Sequence, residues 1–129
     1  MIKKLIALCL TASLFIVVGC ASVQTAQKLN DQKLTTGGEV SIGNVNASNW
    51  GLYLLWIPVL TGDTDKVGSI AFVKDTVNTE SVVAVATKKA KDMGATKSVD
   101  LNTSTSSIWI MPLFVVFFKS VQVSTNAVK

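Results

Sequence analysis

The chain contains no histidine and no arginine, and its twelve basic residues are all lysines. Without imidazole it has no histidine ligand for zinc, no Ser-His or Cys-His pair to activate a nucleophile, and no side chain that shuttles protons near neutrality. Without guanidinium it lacks the group best suited to bidentate phosphate or base contacts and to stacking, so nothing in it points to nucleic acid. Cysteine is scarce as well: Cys9 and Cys20 are the two, and neither stands in a metal-ligand spacing.

What is present begins with an address. Lys3 and Lys4 precede an apolar run from Leu5 to Val18, which is closed by the small residue Gly19 and by Cys20. Charged, apolar and small segments in that order form a secretory signal peptide over residues 1–19. As a helix the apolar run would be about 21 Å long at 1.5 Å per residue, short of a hydrocarbon core of roughly 30 Å. Cys9 is an apolar filler that leaves with the peptide.

The residues Val17-Val18-Gly19-Cys20 resemble the lipobox of bacterial lipoproteins. The resemblance implies that Cys20 receives lipid, palmitate included, and becomes the first residue of the mature chain, so that one partner is a membrane. Ala21 stands where retention in the inner membrane would favour aspartate. The resemblance therefore implies the outer membrane of a bacterial envelope, with the domain facing the periplasm. An ordinary signal peptide that ends near a cysteine is the alternative.

Removal of residues 1–19 leaves 110 of the 129, enough for one domain with a modest core. Ten lysines then face eight acidic residues, a near-neutral balance that again argues against nucleic acid. With Cys20 lipidated, no thiol or disulfide remains, so stability must come from an apolar core, which the 49% hydrophobic content permits.

Residues 20–38 are read as the lipidated cysteine and a flexible tether, because Ala21–Gly38 is mostly polar and ends in a glycine pair. Fully extended, that stretch would reach about 60 Å at 3.3 to 3.6 Å per residue. A short helix from Ser22 to Leu34, with a thin apolar stripe, is the alternative. Residues 39–129 form the single expected periplasmic domain. Val40 and Ile42 alternate in a first strand over Glu39–Asn46, followed by a turn at Asn46-Ala47-Ser48-Asn49. Trp50–Leu60 reads as a central strand buried on both faces. Asp63, Asp65 and Gly68 resemble the opening of a calcium loop, but Val67 and Lys74 fall where ligands are needed, so an acidic turn is expected.

From Asn78 the period changes to that of a helix. Asn78 can cap it, Glu80 sits in the first turn, Val82, Val83, Ala86, Ala90 and Met93 share a face, and Gly94 supplies the stop. Lys88, Lys89 and Lys91 complement the helix C-terminus, with anionic lipid as an alternative partner for them. A strand over Thr96–Leu101, a polar loop over Asn102–Ser107, an apolar segment Ile108–Phe118 broken by Pro112, and a strand from Leu113 to about Thr125 complete the chain. The expected fold class is α+β: a small, mostly antiparallel sheet of about four strands with one packed helix, in ββαββ order.

Over residues 79–129 the helix ending in Ala90-Lys91-Asp92-Met93-Gly94-Ala95 and the last strand through Val121-Gln122-Val123-Ser124-Thr125-Asn126-Ala127-Val128-Lys129 look like small envelope lipoproteins of the Rcs-stress-sensor and tRNA-locus-associated types. The disulfides of the first and the glycine-rich stretches of the second are missing here. The resemblance implies a fold and no activity.

Seven of the eight aromatics beyond Cys20 lie in two stretches: Trp50, Tyr53 and Trp56, then Trp109, Phe114, Phe117 and Phe118. The favoured reading is one shared core. The other is an exposed apolar patch at Trp109, Ile110, Met111, Pro112, Leu113 and Phe114 that meets a partner or the membrane. Three functions follow: an outer-membrane lipoprotein acting by protein contact as an envelope adaptor, sensor or accessory subunit; a domain that binds a lipid surface or hydrophobic ligand; and an enzyme using carboxylates such as Glu80 or Asp100. The first is expected, with no enzyme activity, no cofactor, no metal, a possible envelope protein partner and no oligomeric state specified.

Overall fold

The computed structural model describes residues 21–30, 32, 38–110 and 115–129. Cys20 and the segment Met111–Phe114 lie outside the described residues. The chain folds as α+β, with strands β1 (Ala21–Ala26), β2 (Ser41–Leu54), β3 (Ile57–Gly62) and β4 (Ile70–Phe72), helix α1 (Thr79–Asp92), then β5 (Lys97–Trp109) and β6 (Val116–Val128). All five strand pairings are antiparallel, in the order β4-β3-β2-β6-β5, with β1 also on β2. The sheet therefore has six strands rather than about four.

β2 is the axis of the sheet. Along one side it pairs with β6 from Ser41 to Leu54. Along the other it pairs first with β1, from Asn44 to Asn49, and then with β3, from Gly51 to Leu54. Its residues alternate strictly: Val45, Ala47, Asn49, Gly51 and Tyr53 are buried, while Asn44, Asn46, Ser48, Trp50 and Leu52 are half-buried on the opposite face. Asn46–Asn49, expected as a turn, continues the strand, because its polar members Asn46 and Ser48 fall on the face with solvent while Ala47 turns inward. The expected strand Trp50–Leu60, buried on both faces, is instead a hairpin: the backbone reverses at Leu55, with φ of +57°, and Trp56.

Helix α1 covers the inward face. Its start is fixed by Asn78, whose Oδ1 accepts the Ser81 N–H at 2.8 Å, and its end by Gly94 at φ +90°. Val82, Ala86 and Ala90 pack on Val45, Ala47, Val121, Val123 and Ala127, with Val77 closing the core. Full burial of a valine side chain contributes about 1.5 to 3 kcal/mol, so these small residues supply a compact core without cross-links. The opposite face of the sheet carries no helix among the described residues.

Two more expectations change. The first third of the tether is strand: Ala21 is 4% exposed, pairs with Asn49, and accepts the Gly68 N–H at 3.2 Å. The polar loop expected over Asn102–Ser107 belongs to β5, which pairs with β6 as far as Trp109. β5 is an edge strand beyond the helix, exposed on both faces, so serines and threonines cost it nothing there.

Candidate functional site

The chemistry of the sheet differs between its two ends. Near the start of β2 the open face is a polar ladder. Asn44 Nδ2 donates to Asn126 Oδ1 at 2.9 Å, Gln122 Nε2 donates to Asn46 Oδ1 at 3.3 Å, and the Ser22 and Ser48 hydroxyls lie 2.8 Å apart. Toward the end of β2 the same face becomes apolar. Leu52 pairs across with Phe118 and Leu60, Leu60 with Phe72, and Phe118 with Ile108. The rings of Trp50 and Phe118 meet at 5.3 Å between centroids.

The helix-side face ends in a second aromatic group. Tyr53 stacks on Phe117 at 5.2 Å and Phe117 meets Trp109 at 5.3 Å, with Lys119 Nζ 5.7 Å from the centre of the Tyr53 ring. The Tyr53 hydroxyl donates to Asp75 Oδ1 at 2.6 Å. Burial of the ring, reinforced by that hydrogen bond and by the Asp75 charge, pushes the phenol well above its ordinary pKa.

Beyond these two layers the sheet ends in exposed apolar side chains. The β2–β3 hairpin presents Leu54, Leu55, Trp56 at 79% exposure, and Ile57; the end of β5 presents Ile108 and Trp109 at 60%, and the described parts of the connection beyond it Ile110 and Val115. The two are tied together where the Leu55 N–H donates to the Val115 carbonyl at 2.6 Å. Val59, Phe72 at 69% and Val73 extend the apolar surface along β3 and β4. Most exposed large apolar residues among the described ones gather here, which is far more than scattered surface leucines would give.

Of the partner residues expected from the sequence, Trp109 and Ile110 are exposed at this end, while Met111, Pro112, Leu113 and Phe114 lie outside the described residues, as does the lipidation candidate Cys20. The shared aromatic core is realised only in part: Tyr53 is buried, Trp50, Phe117 and Phe118 are half-buried, and Trp56, Phe72 and Trp109 are exposed. The hairpin tip was missed because its unbroken apolar run carries no glycine, asparagine or proline at Leu55-Trp56 to announce a reversal.

The other candidates do not assemble into catalytic machinery. Glu80 is exposed in the first turn of α1, whereas Asp100 sits at the β5 irregularity, where Asn126 Nδ2 donates to it at 3.0 Å. The acidic turn is an ordinary one: Asp63 Oδ1 accepts the Asp65 N–H at 2.9 Å, and Asp65 pairs with Lys74 at 2.7 Å, which holds the Asp65 carboxyl below its ordinary range. Among the described residues no cluster of three metal-ligating side chains occurs. Lys88 and Lys89 border an open cavity of about 350 Å³ with Val23, Val67, Asp65 and Asp92, which mixes both charge signs. No helix among the described residues is long and apolar enough to cross a membrane. No family model, curated protein or solved structure matches the chain.

Proposed function

We propose that the chain is a small lipoprotein of a bacterial envelope, held in the outer membrane by lipid on Cys20, whose periplasmic domain works by protein contact as an adaptor, sensor or accessory subunit. The observation that carries this reading is the apolar end of the sheet, where Trp109 and Ile110 stand exposed at the start of the segment expected to meet a partner. Its aromatic residues are of the type that dominates the buried centres of protein interfaces. The order of lysines, apolar run, Gly19 and Cys20 supports the anchor. The separation of Glu80 from Asp100 gives no support to a carboxylate enzyme.

The anchor is tested by Cys20→Ser. The wild-type chain is expected in the detergent phase of a phase-separating detergent, and the variant in the aqueous phase or as an unprocessed form. Normal processing of the variant with unchanged partition into detergent would sink the lipoprotein reading. A second reading, that the domain itself meets a lipid surface, is favoured by the exposure of Trp56, Phe72 and Val73 on the flank away from β5.

A further inference from the structure

We infer that the β3–β4 flank, from the turn at Val67 to the hairpin tip at Trp56, is a membrane seat that rests on the bilayer holding the protein's own lipid, leaving Trp109 and β5 turned away toward protein partners. The inference rests on the lipoprotein reading for the presence of that lipid.

Three observations single out this flank. The first is where the chain enters the fold. β1 runs antiparallel to β2 from Asn49 back to Asn44, so Ala21 is the residue of β1 nearest the apolar end. Ala21 is buried, strand-paired, and bonded through its carbonyl to Gly68 in the β3–β4 turn. One peptide link, about 3.8 Å between Cα atoms, therefore separates the anchoring residue from the body of the domain, and no spare length lifts the domain off the lipid. The second is continuity. Phe72, opposite Leu60 on the open face, and Val73, Val59, Ile57 and Trp56 are all exposed along this flank, while Val67 in the turn beside the entry point lies toward the helix with Val85. The length of β3 makes the flank about 20 Å at 3.3 Å per residue.

The third is charge. The sequence has no charged residue from Ser41 to Gly62, so the hairpin and β3 bring nothing into the interface that resists leaving water. Beyond Gly62 the charges mix both signs, with Asp63, Asp65, Lys66, Lys74 and Asp75 in the following stretch and Lys74 paired with Asp65, while an indole such as Trp56 favours the boundary between headgroup and acyl chain. A water-facing surface gains nothing from a phenylalanine and a valine each more than two-thirds exposed side by side at Phe72 and Val73. Trp109, by contrast, is three strands away from β3 across β6 and β2, about 14 Å at the usual strand spacing.

The test uses the full, lipidated chain in vesicles of phosphatidylethanolamine and phosphatidylglycerol, with the tryptophans reduced to one at a time by Trp→Phe changes. A nitroxide-labelled phospholipid should remove most of the emission of Trp56 and little of that of Trp50 or Trp109. Trp56→Asp, at a site too exposed to unfold the domain, should leave the protein on the vesicles through its lipid but increase acrylamide quenching of a tyrosine-free fluorophore attached at Val73→Cys. Trp109 quenched by lipid as strongly as Trp56 would overturn the flank as the seat. So would a Trp56 that lipid does not quench, whether it is open to acrylamide or shielded by a protein or a second copy. Wild-type and Cys20→Ser chains that float equally with vesicles would sink the anchor reading instead, and the tryptophan depths would still decide the seat.

Discussion

Gly51 shows how tightly single positions are held in the middle of the sheet. A Cβ there would lie 2.8 Å from the Leu60 carbonyl oxygen and from Thr61 Cγ2, and 3.0 Å from Val77 Cγ2. Two of those three neighbours belong to β3, which cannot withdraw without breaking its pairing with β2. Gly51→Ala should therefore lower stability by about 1 to 3 kcal/mol, read as a lower urea midpoint with unchanged slope. An unchanged midpoint would mean that β3 is looser than described. Tyr53 gives a pH prediction. The folded state keeps its phenol protonated to higher pH than the unfolded chain, whose group titrates near 10.0. Its contribution is complete below that value and is lost as the pH rises beyond it, because the unfolded chain then releases the proton first. Tyr53→Phe should cost about 0.5 to 1.5 kcal/mol at neutral pH through the lost bond to Asp75. It should also flatten the decline in stability toward about pH 11, and an equally steep decline in the variant would refute the assignment. The buried Asn49 belongs to the same region: its Nδ2 donates to the Gly62 carbonyl at 3.1 Å and to the Thr76 carbonyl at 2.9 Å, which fastens the segment before α1 to the sheet.

Among the elements, α1 is the one whose beginning and end could be read directly from residues. Asn78 and Gly94 mark its limits by local chemistry that needs no tertiary partner. Asn78→Ala should remove the bond to the Ser81 N–H and cost about 1 kcal/mol, visible in thermal melts followed by the helix signal; no change would place the helix start elsewhere. The strands were less legible, each for a definite reason. Polar residues at Asn46 and Ser48 suggest a turn only if both faces of the sheet are assumed to be covered, and here one face carries no helix among the described residues. The serines and threonines of β5 carry no inward period because that strand lies outside the reach of most of α1. The reversal at Leu55 uses a left-handed backbone at a leucine, which no composition rule favours. The same blind spot hid the candidate site: Trp56 looks interior when Trp50–Leu60 is read as one strand and becomes the most exposed tryptophan once the hairpin is drawn.

At the scale of the whole molecule, the helix and six strands of the described residues produce two unlike exteriors, a polar part of the open face near the start of β2 with a polar β5 edge, and an apolar end continued along β3 and β4. Within the apolar part the two exposed tryptophans stand apart, Trp56 at the β2–β3 tip and Trp109 at the end of β5. Hydrophobic counts alone could not locate this division, because the apolar residues of the chain serve a core, a face and an end in turn. The sheet also has a history in time. β2 receives β1 from residues made shortly before it, but its other long side waits for β6, with Ser41 pairing to Val128, 87 positions later. At roughly 5 to 20 residues per second the stretch between Leu54 and Val116 takes on the order of 3 to 12 s to synthesise. Throughout that interval a long, uncharged strand edge is unsatisfied, the state in which chains stick to one another. Until its last strand arrives the chain is therefore open to association with copies of itself, and its refolding yield from denaturant should fall as protein concentration rises.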